Sequence, residues 1–146
     1  MRRRLAPKRG PANRMARNRS RRWASARQTA HATNRGIVVY DLDSGGNISH
    51  GRLFYRNDEL MVDGMTMDRQ GNLYAAMHNG NPKAPNRGMV ALNPEGQIVE
   101  RIPVPSEGLT TNLGFGRGKD AGSLYVITAF PIRLYRIKTV REGHYF

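Results

Sequence analysis

The feature that most restricts the fold is a short phrase that occurs twice. Gly71-Asn72-Leu73-Tyr74-Ala75-Ala76-Met77 returns, 51 residues later, as Gly122-Ser123-Leu124-Tyr125-Val126-Ile127-Thr128. Each copy is a glycine turn running into a stretch too apolar to alternate, the pattern of a strand covered on both faces. Other pieces repeat around it. Gly36-Ile37-Val38-Val39-Tyr40-Asp41-Leu42-Asp43 resembles the stretch GMVALNPE that starts at Gly88, and both resemble IRLYRIKT starting at Ile132. Asn112-Leu113-Gly114-Phe115 precedes the second phrase as Gly64-Met65-Thr66-Met67 precedes the first. The unit is therefore four strands in about 45–50 residues, the period of a β-propeller blade. A sandwich also has short strands and glycine turns, but it does not require the same order of strand types to recur. The expected fold is all-β, with about two and a half four-stranded blades.

The stretch from Val62 to Met77 shows how one blade begins. Met65-Thr66-Met67 suits a half-buried strand, and Asp68-Arg69-Gln70-Gly71-Asn72 is a polar turn in which Gly71 and Asn72 can take the positive φ of a tight hairpin. Leu73 to Met77 is the return strand. Before this blade, Ser44-Gly45-Gly46-Asn47 separates the strand at Gly36 from a second one, Ile48 to Tyr55. After it, residues 77–87 form a loop rich in Asn, Pro and Gly. A hairpin follows that turns at Asn93-Pro94-Glu95-Gly96 and is stopped by Pro103 and Pro105.

The net charge of +13 suggests nucleic acid until it is divided along the chain. Residues 1–35 hold 12 of the 24 Lys and Arg and none of the 11 acids, which leaves the rest with a net of +1. The basicity belongs to a tail, with clusters at Arg2-Arg3-Arg4, Lys8-Arg9 and Arg19-Ser20-Arg21-Arg22 and a single Trp23. Such a segment buries too little apolar surface to offset ordering, so residues 1–35 are expected to be disordered and residues 36–146 to carry the fold. An Arg-rich tail attracts phosphate backbones without sequence preference, but no recognition-helix, zinc or stacked-aromatic pattern accompanies it, and nucleic acid is not the expected partner.

The chain has no cysteine, which excludes disulfides, thiolate metal sites and a Cys nucleophile. No apolar run approaches the roughly 18 residues of a membrane span. The basic start is not followed by the apolar stretch, about 7–15 residues long, of a signal peptide, so a cytoplasmic location without membrane contact is expected.

Three motifs in order, DGMTMDRQGNLYAA from Asp63, GMVALNPEGQIVERIPVP from Gly88 and TTNLGFGRGKDAGSLYVITA from Thr110, resemble the senescence marker protein/gluconolactonase/luciferin-regenerating enzyme family. The resemblance runs from about Gly36 to Tyr145 and corresponds to a C-terminal portion of a six-bladed propeller. It implies a hydrolase of sugar lactones or related esters that uses one divalent cation, calcium or zinc, at the mouth of the central channel. Asp63, the Asp of the D-G-M motif, takes the position of a metal ligand and of the carboxylate that helps activate the attacking water. Such a cation polarises the carbonyl and acidifies a bound water while the neighbouring carboxylate takes the proton.

The resemblance further implies a Glu and an Asn that precede Asp63. Residues 1–35 contain no acid to match the Glu. Asn13 has the separation expected of the Asn, but its surroundings lack a strand pattern. His78, read as a loop residue after the Leu73 strand, and Asn112, at the start of a blade, are the candidate substrate contacts; a solvated loop and a turn hydrogen bond are their plainer readings. His31, His50 and His144 lack metal-ligand spacing. Tyr74, Phe115 and Tyr125 are expected to pack between blades. Two functions from different classes fit. The first is a metal-dependent lactonase in truncated form, inactive alone. The second is a non-catalytic binding or assembly module, whose open blade edges invite self-association and whose basic tail holds an acidic partner.

Overall fold

The structure is a computed structural model that describes residues 28–33, 35–81, 83, 87–104 and 108–144. The tail clusters, Trp23 and Asn13 lie outside the described residues. Ten strands are present among them: β1 (Gln28–Thr33), β2 (Gly36–Leu42), β3 (Ile48–Arg56), β4 (Met61–Met67), β5 (Leu73–His78), β6 (Gly88–Leu92), β7 (Ile98–Ile102), β8 (Leu109–Phe115), β9 (Ser123–Ala129) and β10 (Arg133–Lys138). They form three antiparallel sheets in the orders β1-β2-β3, β4-β5-β6-β7 and β8-β9-β10. One complete blade is thus flanked by two three-stranded ones, and the fold is a partial β-propeller. No helix among the described residues is long and apolar enough to cross a membrane.

The folded part begins earlier than the composition suggests. β1 lies inside the stretch expected to be a disordered tail and pairs with β2 in unbroken register from Gln28↔Asp41 to Thr33↔Gly36. The sequence QTAHAT contains no Lys or Arg, and the charge of its neighbours masked it.

The middle blade has two dry faces. Leu73, Ala75, Met77, Val90 and Leu92 share one core with Ile37, Leu60 and Val62, against which Phe54 and Tyr55 of the first blade pack. Tyr74, Ala76, Met89 and Ala91 share a second core with Leu113, Leu124 and Val126 of the third blade. Alternate residues of β5 and β6 therefore enter opposite cores, which is why these strands are apolar throughout. The Tyr74 and Phe115 rings meet edge to face at 5.1 Å across the second core, a contact worth about 1 kcal/mol beyond the burial itself. Tyr125, at the place equivalent to Tyr74, is half-buried on the other side of its blade.

Three turns share one design. Asp43, Asp68 and Asn93 each accept, through Oδ1, the amides two and four residues ahead, at 2.8–3.1 Å. In each, the fourth residue is a glycine with φ of 80–85°. Residues without a side chain reach that region at little cost. Of the two candidates in the middle-blade turn, Gly71 takes the positive φ and Asn72 does not. Asn72 instead donates its side-chain amide to Asp68 Oδ2 at 2.7 Å. On exposed Asp43 the same hydrogen bonds, led by that from Asn47, hold the carboxyl below its usual pKa.

Asp68 differs from its counterparts in being fully buried. Beside the turn amides, it receives Arg141 Nη1 at 3.2 Å, and its neighbour Arg69 pairs with Glu142 at 2.6 Å. Gly143 bridges to Asp68, and the His144 amide donates to the Met67 carbonyl at 2.9 Å. The chain after β10 is thereby fastened to the end of β4, in the middle blade. Asp68→Ala leaves Arg141 and the turn amides without their acceptor, and we expect a loss of about 3 kcal/mol. The thermal midpoint should fall by roughly 10 °C or more; a fall under about 2 °C would contradict the role given to this carboxylate.

Tyr74, whose hydroxyl lies 3.5 Å from Asp68 Oδ2, has its pKa raised to about 12, chiefly by burial, with Arg141 opposing the rise and Asp68 and Glu100 adding to it. The folded state holds this proton more tightly than the unfolded one. Its contribution to stability is present below about pH 10 and is lost as pH rises through the folded value. Ultraviolet titration of wild type beside Tyr74→Phe should show a phenol that ionises near pH 12 in wild type alone; absence of that late step would refute the buried placement.

Candidate functional site

β4 reaches the site through a bulge. Val62 pairs with Met77 and Met65 with Ala75, so β4 carries one more residue than β5 over this span. β8 repeats the irregularity, since Thr110 pairs with Thr128 and Asn112 with Ile127. Matching the two through β5 and β9 makes Asp63 the counterpart of Thr111 and Gly64 the counterpart of Asn112, which is the alignment the sequence motifs imply. An extra residue re-aims the side chains that follow it. Val62 remains in the core at 7% exposure while Asp63 turns outward with its side chain 49% exposed.

His78 is not a loop residue: it is the last residue of β5 and pairs with Met61. Hairpin register carries its ring to Asp63, with Nε2 3.4 Å from Oδ2. The Gly80 amide donates to Nδ1 at 3.3 Å. A nitrogen that accepts cannot carry the proton in neutral imidazole, so the hydrogen sits on Nε2 and points at the carboxylate. The His78 side chain is only 13% exposed, and the carboxylate forms the wetter half of the pair.

Asn112 approaches from the third blade. Its Oδ1 accepts the Leu113 amide at 2.8 Å. A Cβ on Gly64 would stand 2.6 Å from Asn112 Cγ and 2.7 Å from its Cα, closer than carbon atoms pack. Glycine is therefore required where β4 and β8 converge, for space and not for φ. The structure brings His78 to Asp63 and sets Asn112 against Gly64, the residue that follows Asp63. Gly64, which sets this approach, is the second letter of the D-G-M motif.

The arrangement holds one exposed carboxylate against an imidazole, with an amide side chain packed on the next residue of the strand. Such a carboxylate can accept a proton, and the amide can donate to a substrate oxygen. Among the described residues no three His, Cys, Asp or Glu side chains come together in a way that could hold a metal ion.

The sequence profile of the SMP-30/Gluconolactonase/LRE-like region matches residues 21–130. Regucalcin of Danio rerio is 33% identical over 94 residues, 62% of this chain and 29% of that protein. Regucalcin of Oryctolagus cuniculus is 36% identical over 93 residues, 62% of this chain and 28% of that protein. The chain spans less than a third of the length of these curated relatives. A solved X-ray structure, assigned as a gluconolactonase, superposes with a TM-score of 0.65 at 21% identity, over 84% of this chain and 38% of the other, and shows the same fold.

The close approach at Gly64 is open to a direct check. Gly64→Ala should force β8 away from β4 and cost about 1–3 kcal/mol. Gly114→Ala, where a Cβ meets nothing within 4 Å, should leave the thermal midpoint within about 2 °C of wild type. Equal effects of the two substitutions would refute the convergence of the inner strands.

Proposed function

The chain belongs to the SMP-30/gluconolactonase/LRE-like family, and from that premise we propose that it carries part of a hydrolytic site for sugar lactones or related carboxylic esters. The observation that supports this reading most is the Asp63–His78 pair at the outward end of the inner strands. Hydrolysis of a lactone requires a water to lose a proton as it adds to the carbonyl carbon. Asp63 is the base: half of its side chain is in solvent. The Nε2 hydrogen of His78 engages Oδ2 and leaves Oδ1 toward the water, so His78 is a positioning residue for the carboxylate. Asn112, with Oδ1 committed to its own strand, presents Nδ2 to a hydroxyl or carbonyl oxygen of the substrate.

A divalent cation, calcium or zinc, is what the family resemblance implies beside Asp63. Calcium takes six to eight oxygens and a catalytic zinc three protein ligands. Asp63 and Asn112 do not meet either demand. Among the described residues no group of three His, Cys, Asp or Glu could hold such an ion, so Asp63 and Asn112 would supply only part of its coordination. The proton chemistry of Asp63 and His78 stands independently of the cation.

Lactone hydrolysis, assayed with and without added calcium or zinc, tests the proposal. We expect turnover that Asp63→Ala lowers by about 100-fold or more in kcat/KM, and that His78→Phe lowers by about tenfold. No turnover under any of these conditions, or turnover indifferent to Asp63, would overturn it.

A further inference from the structure

The chain contains a single Asn-Gly step, Asn79-Gly80, and it directly follows His78 at the end of β5. In such a step the amide nitrogen of the glycine can attack the asparagine side-chain carbonyl with little hindrance, because the glycine has no Cβ beside that nitrogen. Both residues are exposed to water. A Cβ at Gly80 would meet nothing within 4 Å, so this part of the chain is uncrowded.

Three hydrogen bonds supply the step with the parts of a nucleophilic site. The Gly80 amide donates to His78 Nδ1 at 3.3 Å. His78 Nε2 lies 3.4 Å from Asp63 Oδ2, which keeps the ring hydrogen on Nε2 and leaves Nδ1 as the acceptor. The Asn81 amide donates to Asn79 Oδ1 at 3.0 Å, the oxygen on which charge develops when the side-chain carbonyl is attacked. A nucleophile, its base, a carboxylate that orients the base and an oxyanion donor are thus all in place. A planar amide nitrogen attacks through its face and not along N–H, so His78 can hold the hydrogen while the new bond forms.

We propose that Asn79 is a self-modifying site: His78 promotes its conversion, through a succinimide closed onto the Gly80 nitrogen, to aspartate and isoaspartate. The Gly80 nitrogen bonds to Asn79 Cγ as its hydrogen passes to His78 Nδ1. The Cγ–Nδ2 bond then breaks, and the imidazolium returns the proton to the departing nitrogen, which leaves as ammonia. Water opens the ring and is the only co-reactant. Its attack at Cγ gives aspartate. Attack at the main-chain carbonyl carbon of residue 79 gives isoaspartate, whose backbone runs through Cγ and is one atom longer. Either product adds a carboxylate to the residue next to His78, and the longer backbone also shifts the Gly80 amide relative to Nδ1. The modification therefore acts on the contacts that orient His78 toward Asp63. The inference stands whether or not the chain hydrolyses lactones.

Peptide mapping by mass spectrometry tests it, on the full chain held at neutral pH both folded and in denaturant. The Asn-Gly sequence is the same in the two samples, so a difference in rate belongs to the fold. Folded wild type should convert Asn79 about tenfold faster than the denatured chain, give both products and take up heavy oxygen from labelled water. His78→Phe, with its fold checked by circular dichroism, should slow conversion to the rate of the denatured chain. Asp63→Ala, which releases the ring tautomer, should fall between the two. An Asn79 that stays intact in the folded wild type, or that converts no faster there than in denaturant, would overturn the proposal without recourse to any variant. Conversion as fast in folded His78→Phe as in wild type would overturn it as well.

Discussion

The constraint on which everything else depends is that β5 and β6 are apolar on both faces. Leu73 to Met77 and Met89 to Leu92 are all nearly inaccessible to water, and burial of such side chains is worth about 1.5–3 kcal/mol each for the larger ones. A two-layer arrangement could cover only one of these faces. A sheet whose odd and even residues both need cover has to be the middle layer of three, and a chain that repeats the same sheet along its length supplies the other two layers from itself. Stacking blade on blade is the outcome, and the buried polar side chains, Asp68, Asn72, Thr110, Ser123 and Thr128, lie in a turn or near strand ends.

That stacking also explains where the chemistry sits. The inner strands β4 and β8 run together, and at one end the absence of a side chain on Gly64 lets them converge on Asn112. A single inserted residue in each strand turns the next side chain out of the core. Asp63 is consequently held by rigid strands on both sides, with His78 delivered to it by the register of a hairpin. At the other end of the same strand Asp68 is a carboxylate too, but a buried one whose partners are turn amides, Asn72 and Arg141. Four residues of one strand thus separate a carboxylate that reaches solvent from one that secures the fold, and environment alone divides the roles.

Much of this was legible in the sequence because it is local or periodic. The repeated Gly-x-Leu-Tyr phrase, the hairpin glycines and the alignment of Asn112 with Gly64 need only neighbours in the chain. What escaped was set by distance or by averaging. β1 was hidden because a charge count over 35 residues cannot see six uncharged ones. His78 was read as a loop residue because the loop that follows it is so rich in Asn and Gly, and its pairing with Asp63 depends on a bulge that no local pattern announces. The bond between Arg141 and Asp68 spans 73 positions, and nothing near Arg141 distinguishes it from other surface arginines. The common design of the three turns was visible only once their side-chain hydrogen bonds could be compared.

The central claim is that the strands present Asp63 as a carboxylate held by the Nε2 hydrogen of His78. Nitrogen-15 NMR of the His78 ring reads this directly, because protonated and unprotonated ring nitrogens resonate far apart. For the ring in its neutral form, the account predicts the proton on Nε2 and an acceptor at Nδ1, a preference that disappears in Asp63→Ala. A ring that interchanges freely between tautomers in wild type, or that carries its proton on Nδ1, would contradict it.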